Sequence, residues 1–467
     1  METTEEFNIF RRRVGNTPLL RCKRLESKLG VEKIYVKLEG TNPTGHKSDR
    51  IAHRIVRDAH QKGFGTLTIG TVGYLARSLS VLSEPFGMRC ALFIPRMSSG
   101  YEEYIEEVSN VDLVEIDGSW EEAVTESRRK AKIEGWYDAN PGLDNNTFGM
   151  IAYSPMALEL VRKLGGPPDT VSTPVGSGTM LSGLHLGFRQ LWSSKEIESI
   201  PRLIGGSLQG ANAIIESVKK GLKEVEPIDD SEVVIDAQLQ PLINYQALFG
   251  QPALEAILDS EGAGYGLLQG ELEKLALQLH QSEHIELSVD SSAALGAFMH
   301  AKKDGLVEDG GKHVLVLSTG RTDVTITELN REDIGDNIGG LIEIMDKWLE
   351  DFSDPEEEIL QAVENALDNG YVLAALMNGG GLVGLCVLST MELDTFFPRY
   401  HLSYIAADKR YEGRGVATML LERAVEVSDG NLSLHVERDN EKAVRLYQKM
   451  GFDIKYHRMH YMAGGND

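Results

Sequence analysis

Four short apolar runs, each followed by a polar turn and then by helical spacing, constrain this chain more than any other feature. "KIYVKLEG" precedes a helical pattern at 47–62, "TLTIG" one at 73–84, "RCALFIP" one at 99–108 and "VDLVEI" one at 119–134. Strands that alternate with helices need crossover connections, which implies an α/β unit with a mainly parallel sheet and helices on both faces. Ser119 and Glu122 in "DGSWEEAV" have capping-box spacing, so a helix is predicted to begin there.

After "VLVLSTGRTD" at 314–323 the pattern changes. A strand-like "VTITELN" leads into the acidic helical run "IGGLIEIMDKWLEDFSDPEEEILQAVENALDNG". The consecutive strands "YVLAALMNGGGLVGLCVLST" and "PRYHLSYIAAD" come next. Half of the formal charge of -24 falls beyond residue 330, a composition shift that supports a boundary near 322–332. With 467 residues and no low-complexity linker, we expect two closely joined domains, 1–323 and 324–467.

Composition narrows the function. A surface this acidic repels a phosphate backbone, so nucleic acid is not an expected partner. No apolar run approaches the ~18 residues of a membrane span. The opening "METTEEFNIFRRR" lacks the apolar core of a signal peptide, so a cytoplasmic location is expected. Three widely spaced cysteines, Cys22, Cys90 and Cys386, fit a reducing compartment and carry no zinc spacing, so no metal is expected.

Chemistry first shows in "TPVGSGTMLSGLHLGF", which reads as a strand, a Gly-Ser-Gly turn and a helix. Backbone N–H groups at a helix start, unobstructed at Gly176 and Gly178, form an anion site suited to phosphate. In isolation the same turn serves tight strand-to-helix geometry equally well.

Order along the chain adds the rest. "GNTPLLRCKRL", "IYVKLEGTNPTGHKSDRIA", "TIGTVGYLARS", "WYDANPGLDNNTFGMIAYSPMALEL", "PVGSGTMLSGL", "DSSAALGA" and "VLVLSTG" follow one another over residues 10–322. In that order they resemble the landmarks of the fold-type II pyridoxal-phosphate enzymes, the threonine synthase and cysteine synthase superfamily. The resemblance implies a cofactor held between two α/β subdomains, replacement or elimination chemistry on an amino acid, and a homodimer. It places the phosphate on Gly176, Ser177, Gly178 and Thr179, and sets Ser318 or Thr319 opposite the pyridine nitrogen.

Two positions depart from the family pattern. Where N-P-x-G-S-x-K-D-R carries lysine directly before aspartate, this chain has Ser48, with Lys47 one residue earlier. Where the family has the asparagine of S-G-N-x-G, it has Thr71. Schiff-base formation and proton transfer need an amine, which serine lacks. One helical position is a rotation of about 100°. Three readings therefore stand: Lys47 reaches the cofactor, the site binds a ligand without a lysine, or it is a structural relic.

The second unit contains "YIAADKRYEGRGVATMLLERAVE" and, after it, "LSLHVERDNEKAVRLYQKMGF". Each is a strand, a turn and a helix, and the pair resembles the two acetyl-coenzyme A motifs of the GNAT-type N-acetyltransferases over 324–463. The implied fold is α+β with a mixed, mostly antiparallel sheet. By the resemblance, Arg414, Gly415, Val416 and Ala417 cradle the pyrophosphate, Asn440 lies near the pantetheine arm, and Tyr447 protonates the departing thiolate. Glu412 stands where the family opens its motif with arginine or glutamine. Glu392, Asp394 and His401 are candidate bases.

Two functions follow as expectations. One is a bifunctional protein of amino-acid metabolism that combines pyridoxal-phosphate chemistry with acetyl transfer to a small amine or amino acid. The other is a single-activity acetyltransferase whose first unit senses a ligand or binds a partner.

Overall fold

β2 (Lys33–Leu38) is almost wholly buried, so its apolar residues need no strict alternation and "KIYVKL" is packed on both sides. It belongs to a computed structural model that describes residues 14–71, 73–96, 109–117, 120–140, 144–229, 237–247, 250–283, 285–322, 324–335, 337–377, 381–391, 398–411, 416–437 and 440–455. The chain forms two units that divide between Asp323 and Val324.

In the first unit β1 (Leu19–Arg21) runs antiparallel to β2, and all other strand pairs are parallel. The chain then leaves to build a separate four-stranded sheet from β3 (Thr66–Gly70), β4 (Arg89–Pro95), β5 (Val111–Ile116) and β6 (Tyr137–Asp138), in the order β5-β4-β3-β6. It returns for β7 (Thr170–Pro174), β8 (Arg202–Leu208), β9 (Ala263–Leu267) and β10 (Lys312–Leu317). The first sheet has the order β1-β2-β10-β7-β8-β9. β10, last in sequence, thus lies between β2 and β7.

The period of two is legible in β10. Val314 and Val316 enter one apolar cluster while Leu315 and Leu317 enter another, so the sheet carries a core on each face. Three of the helical patterns read from sequence are observed: Asp49–Gln61, Tyr74–Ser83 and Trp120–Glu134. The pattern at 99–108 and the capping residue Ser119 lie outside the described residues.

The second unit is a five-stranded sheet of β11 (Val324–Leu329), β12 (Tyr371–Met377), β13 (Leu382–Thr390), β14 (Tyr400–Ala407) and β15 (Leu432–Leu434), in sequential order. The first three pairings are antiparallel and the last, β14 with β15, is parallel. A parallel pair needs a crossover, supplied by the helix Val416–Val427. The acidic run resolves into two helices, Ile338–Leu349 and Glu356–Asn369, which share an apolar cluster with Val372, Ala374, Leu385 and Val387. The opposite face packs on Val416, Leu420, Leu421 and Tyr447. Among the described residues no helix is long and apolar enough to cross a membrane.

Candidate active sites

Because β2, β10 and β7 are neighbouring parallel strands, their carboxyl ends emerge side by side. From these ends run the Asn42–Lys47 loop, Ser318–Thr319 and the Gly176–Thr179 turn, so three distant stretches of sequence converge at one sheet edge.

The turn is held from below by two asparagines. Asn212 caps the helix Ala213–Lys219 through its carbonyl oxygen, and its amide donates to the carbonyls of Val175, Gly176 and Leu242 at 3.0, 2.9 and 3.0 Å. Asn244 donates to the Gly176 carbonyl at 3.1 Å. With that carbonyl tied down, the N–H groups of Ser177, Gly178, Thr179 and Met180 donate to no acceptor among the described residues. Gly178 has φ +80, and a Cβ there would lie 2.4 Å from the Ala253 methyl, so only glycine suits the position. Ser177 and Thr179 hydroxyls lie 3.0 Å apart.

The Asn42–Lys47 loop is anchored by buried charge. Arg50 donates to both oxygens of Glu39 and of Glu159, and Lys37 donates to Glu159 at 2.6 Å. Burial alone would raise the Glu39 carboxyl, but the Arg50 guanidinium and the Lys37 ammonium hold it below its ordinary value. Two cations against two carboxylates leave this buried group neutral.

Lys47 and Ser48 follow directly. The Lys47 N–H donates to the Ser318 carbonyl at 3.0 Å. Its half-buried ammonium makes no hydrogen bond among the described residues and lies in the field of Asp290 and Glu39. Burial lowers its pKa, against the pull of those carboxylates. Ser48 is buried with its hydroxyl 2.6 Å from His46 Nδ1, which also accepts the Ser48 N–H at 3.1 Å. The His46 ring stacks on Tyr74 at 4.1 Å. Burial first, and Lys47 second, push His46 well below its usual pKa, so it is neutral and its Nε2 carries the proton.

Thr319 spends its hydroxyl on Ser288 and Ser291, at 2.6 and 3.0 Å. The Ser318 hydroxyl is buried with no partner among the described residues, as are Asp290 Oδ1 and His46 Nε2. Thr71 is buried, and its N–H donates to the Phe93 carbonyl at 3.1 Å. Nearby a cleft of about 400 Å³ is lined by Thr44, Tyr74, Arg77, Ser288, Thr319 and Arg321 among others.

In the second unit β14 pairs with β15 over three residues only, Tyr400 to Leu402 against Leu432 to Leu434. The partner register on β13 skips Ser403, a bulge that bends β14 next to the last of those pairs. Gly384 on β13 lets the crossover helix come close, since a Cβ there would meet the Val416 side chain at 2.8 Å. Ala417 follows in the same helix; Glu412, Arg414 and Gly415 lie outside the described residues, as do Glu392 and Asp394. Asn440 caps the helix Glu441–Lys449, its carbonyl oxygen accepting the Ala443 N–H at 3.0 Å. Tyr447 is buried in the apolar cluster, and burial, with Cys386 beside it, pushes its phenol up to about 12. His401 Nδ1 lies 3.0 Å from the Ser433 hydroxyl and its ring 4.6 Å from that of His435.

The family model described as pyridoxal-phosphate dependent enzyme matches residues 10–320. The chain belongs to that family. Residues 341–452 match the acetyltransferase (GNAT) family model, so this member of the pyridoxal-phosphate dependent family carries a GNAT domain as well. It is similar to the threonine synthase of Methanocaldococcus jannaschii, 26% identical over 66% of this chain and 74% of that one. The threonine synthase of Methanosarcina acetivorans is 24% identical, covering 63% and 71%. Among solved structures, a fungal L-serine ammonia-lyase from Rhizomucor miehei shares the fold at TM-score 0.55 and 20% identity, covering 67% of this chain and 95% of that one. Maize serine racemase does so at TM-score 0.54 and 18% identity, covering 71% and 93%.

The family implies pyridoxal phosphate, and the residues fit it in part. The free amides of 177–180 suit a phosphate, and the partnerless Ser318 hydroxyl suits a ring nitrogen. At the attachment position they do not fit, because Ser48 stands there with its hydroxyl turned to His46. The sequence reading missed Asn212, whose signal was an asparagine just before the apolar "AII" of a helix start, and Asn244, which carries no such signal. It also missed His46, Tyr74 and Asp290, which no local pattern marks.

Proposed function

We propose that the GNAT domain transfers the acetyl group of acetyl-coenzyme A to the amine of a small molecule or amino acid, and that the first unit binds a related phosphate-bearing ligand. The observation that carries this reading is the short parallel contact of β14 with β15, beside a crossover helix and a buried phenol. In this reading, main-chain groups beyond the third pair bond a ligand that enters between the strands.

Acetyl-coenzyme A supplies an acyl group activated as a thioester. The acceptor nitrogen bonds to the carbonyl carbon, the carbon–sulfur bond breaks, and Tyr447 gives its proton to the leaving sulfur. A phenol raised to about 12 stays protonated at neutral pH, as an acid must. In this reading His401 takes the proton lost by the amine, directly or through water. Release of free thiol from acetyl-coenzyme A, measured against a panel of amines and amino acids, tests the reading. No amine-dependent release from a folded protein that binds the coenzyme would sink it.

The departures at Ser48 and Thr71 favour a ligand-sensing first unit over a second catalytic one. Ligand binding there that changes the acetyl-transfer rate is the expected sign.

A further inference from the structure

Three buried polar atoms without partners among the described residues lie around the Lys47 loop: His46 Nε2, Asp290 Oδ1 and the Ser318 hydroxyl. A single unmet buried group costs about 1–3 kcal/mol, and native proteins hold few of them, so a local group of three marks a place where a ligand completes the bonding. Their closeness follows from contacts. Lys47 N–H bonds the Ser318 carbonyl, and the next residue, Thr319, bonds Ser291 through both its N–H and its hydroxyl. Asp290 precedes Ser291. The Ser318–Thr319 pair is therefore gripped by Lys47 on one side and by the Asp290–Ser291 turn on the other.

The phosphate turn belongs to the same place. A Cβ on Gly149 would meet Thr179 at 2.6 Å and Ile51 at 3.8 Å, so the start of the helix that follows Lys47 lies one side chain from the turn. Together the site offers four backbone N–H groups at one end and, at the other, a hydroxyl, a neutral imidazole N–H, an ammonium and one carboxylate. Such a set favours an anionic ligand rich in acceptors.

We infer that Lys47 serves as the electrostatic partner of Asp290 and not as a covalent anchor, so that the first unit takes pyridoxal phosphate, or a phosphate ester of like shape, reversibly and without a bond to the chain. Position supports this. The backbone N–H of Lys47 is committed to Ser318, its ammonium lies in the field of Asp290, and the position before Asp49 is filled by a serine bonded to a histidine. The inference rests on the reading of the first unit as a ligand-binding one and is independent of acetyl transfer.

The test uses the full chain and pyridoxal phosphate as probe. Equilibrium dialysis should show saturable binding that inorganic phosphate competes away. Borohydride reduction followed by peptide mass mapping should leave the Lys47 peptide unmodified. The Lys47→Arg variant, which keeps the charge, should hold the dissociation constant within about threefold, whereas Lys47→Ala should weaken it about tenfold, or ~1.4 kcal/mol. The double exchange Lys47→Ser with Ser48→Lys should gain a reducible adduct at residue 48. A borohydride-fixed adduct on Lys47 of the natural protein overturns the inference. Absence of saturable binding overturns it as well, and leaves amine-dependent thiol release, the test of acetyl transfer, unaffected.

Discussion

Arg50 holds Glu39 through two parallel hydrogen bonds of 2.7 and 2.8 Å, with both side chains removed from solvent. The same guanidinium grips Glu159, so one residue ties the end of β2 to the helix Pro155–Leu164. Removing one partner from a buried pair leaves the other charge uncompensated. Arg50→Met should cost about 3–5 kcal/mol, read from denaturant unfolding of the first unit, while Glu39→Gln combined with Arg50→Met should recover part of that loss.

The sign of the acid response follows from the same carboxylates. Glu39 and Glu159 have folded-state pKa values below the ordinary range, because Arg50 and Lys37 oppose the effect of burial. Groups depressed in this way contribute stability above their unfolded pKa of about 4.3 and lose it as pH falls through their folded values. The melting temperature of the first unit should hold from pH 7 to about 5 and fall below about 4. In Arg50→Met the acid fall should be shallower, since the larger of the two opposing cations is gone and the depression is reduced. An unchanged profile in the variant would assign the acid sensitivity to other groups.

Asn212 reaches three carbonyls and caps a helix at once. Asn212→Ala should lower stability by about 2–4 kcal/mol, and should weaken phosphate binding in the fraction that stays folded. Asn212→Asp keeps the cap but not the donors. It should bind phosphate as poorly as the alanine variant, a match that assigns the loss to support of the turn and not to capping.

For acetyl transfer, Tyr447→Phe keeps the ring that packs against Phe452 and the surrounding cluster and removes the acid. Its expected signature is a fall in kcat of about 100-fold with KM for the coenzyme nearly unchanged. A drop in melting temperature without the kinetic loss would make Tyr447 a packing residue alone.

Much of this was legible in the sequence because periodicity is local. Strand and helix alternation, the glycine turn at 176–178 and the strand-to-helix unit ending at Tyr447 each lie within about 20 residues. The displacement of Lys47 was equally plain, since it is a count of positions. Hidden were the groups whose meaning depends on distant partners. Asp290 reads as an ordinary turn residue until Thr319 and Lys47 are placed beside it. His46 occupies a position where the family pattern has serine, and only its stacking on Tyr74 and its bond to Ser48 give it a role. The resemblance offered Ser318 or Thr319 as a ring contact; the Thr319 hydroxyl is spent on Ser288 and Ser291, and of the two only the Ser318 hydroxyl lacks a partner among the described residues.

The place of β10 between β2 and β7 also governs the order in which the chain can assemble. β2 finishes at Leu38, yet its neighbour on that side leaves the ribosome only after residue 312. Until then the two flanks of the sheet have apolar edges with no strand between them, and the Gly176–Thr179 turn has no opposite wall. Such long-range closure is slow and leaves edges open to wrong pairing. The first unit should therefore acquire ligand affinity in a single late step, when the last strand enters, with the second unit's own first strand starting at Val324 just behind it.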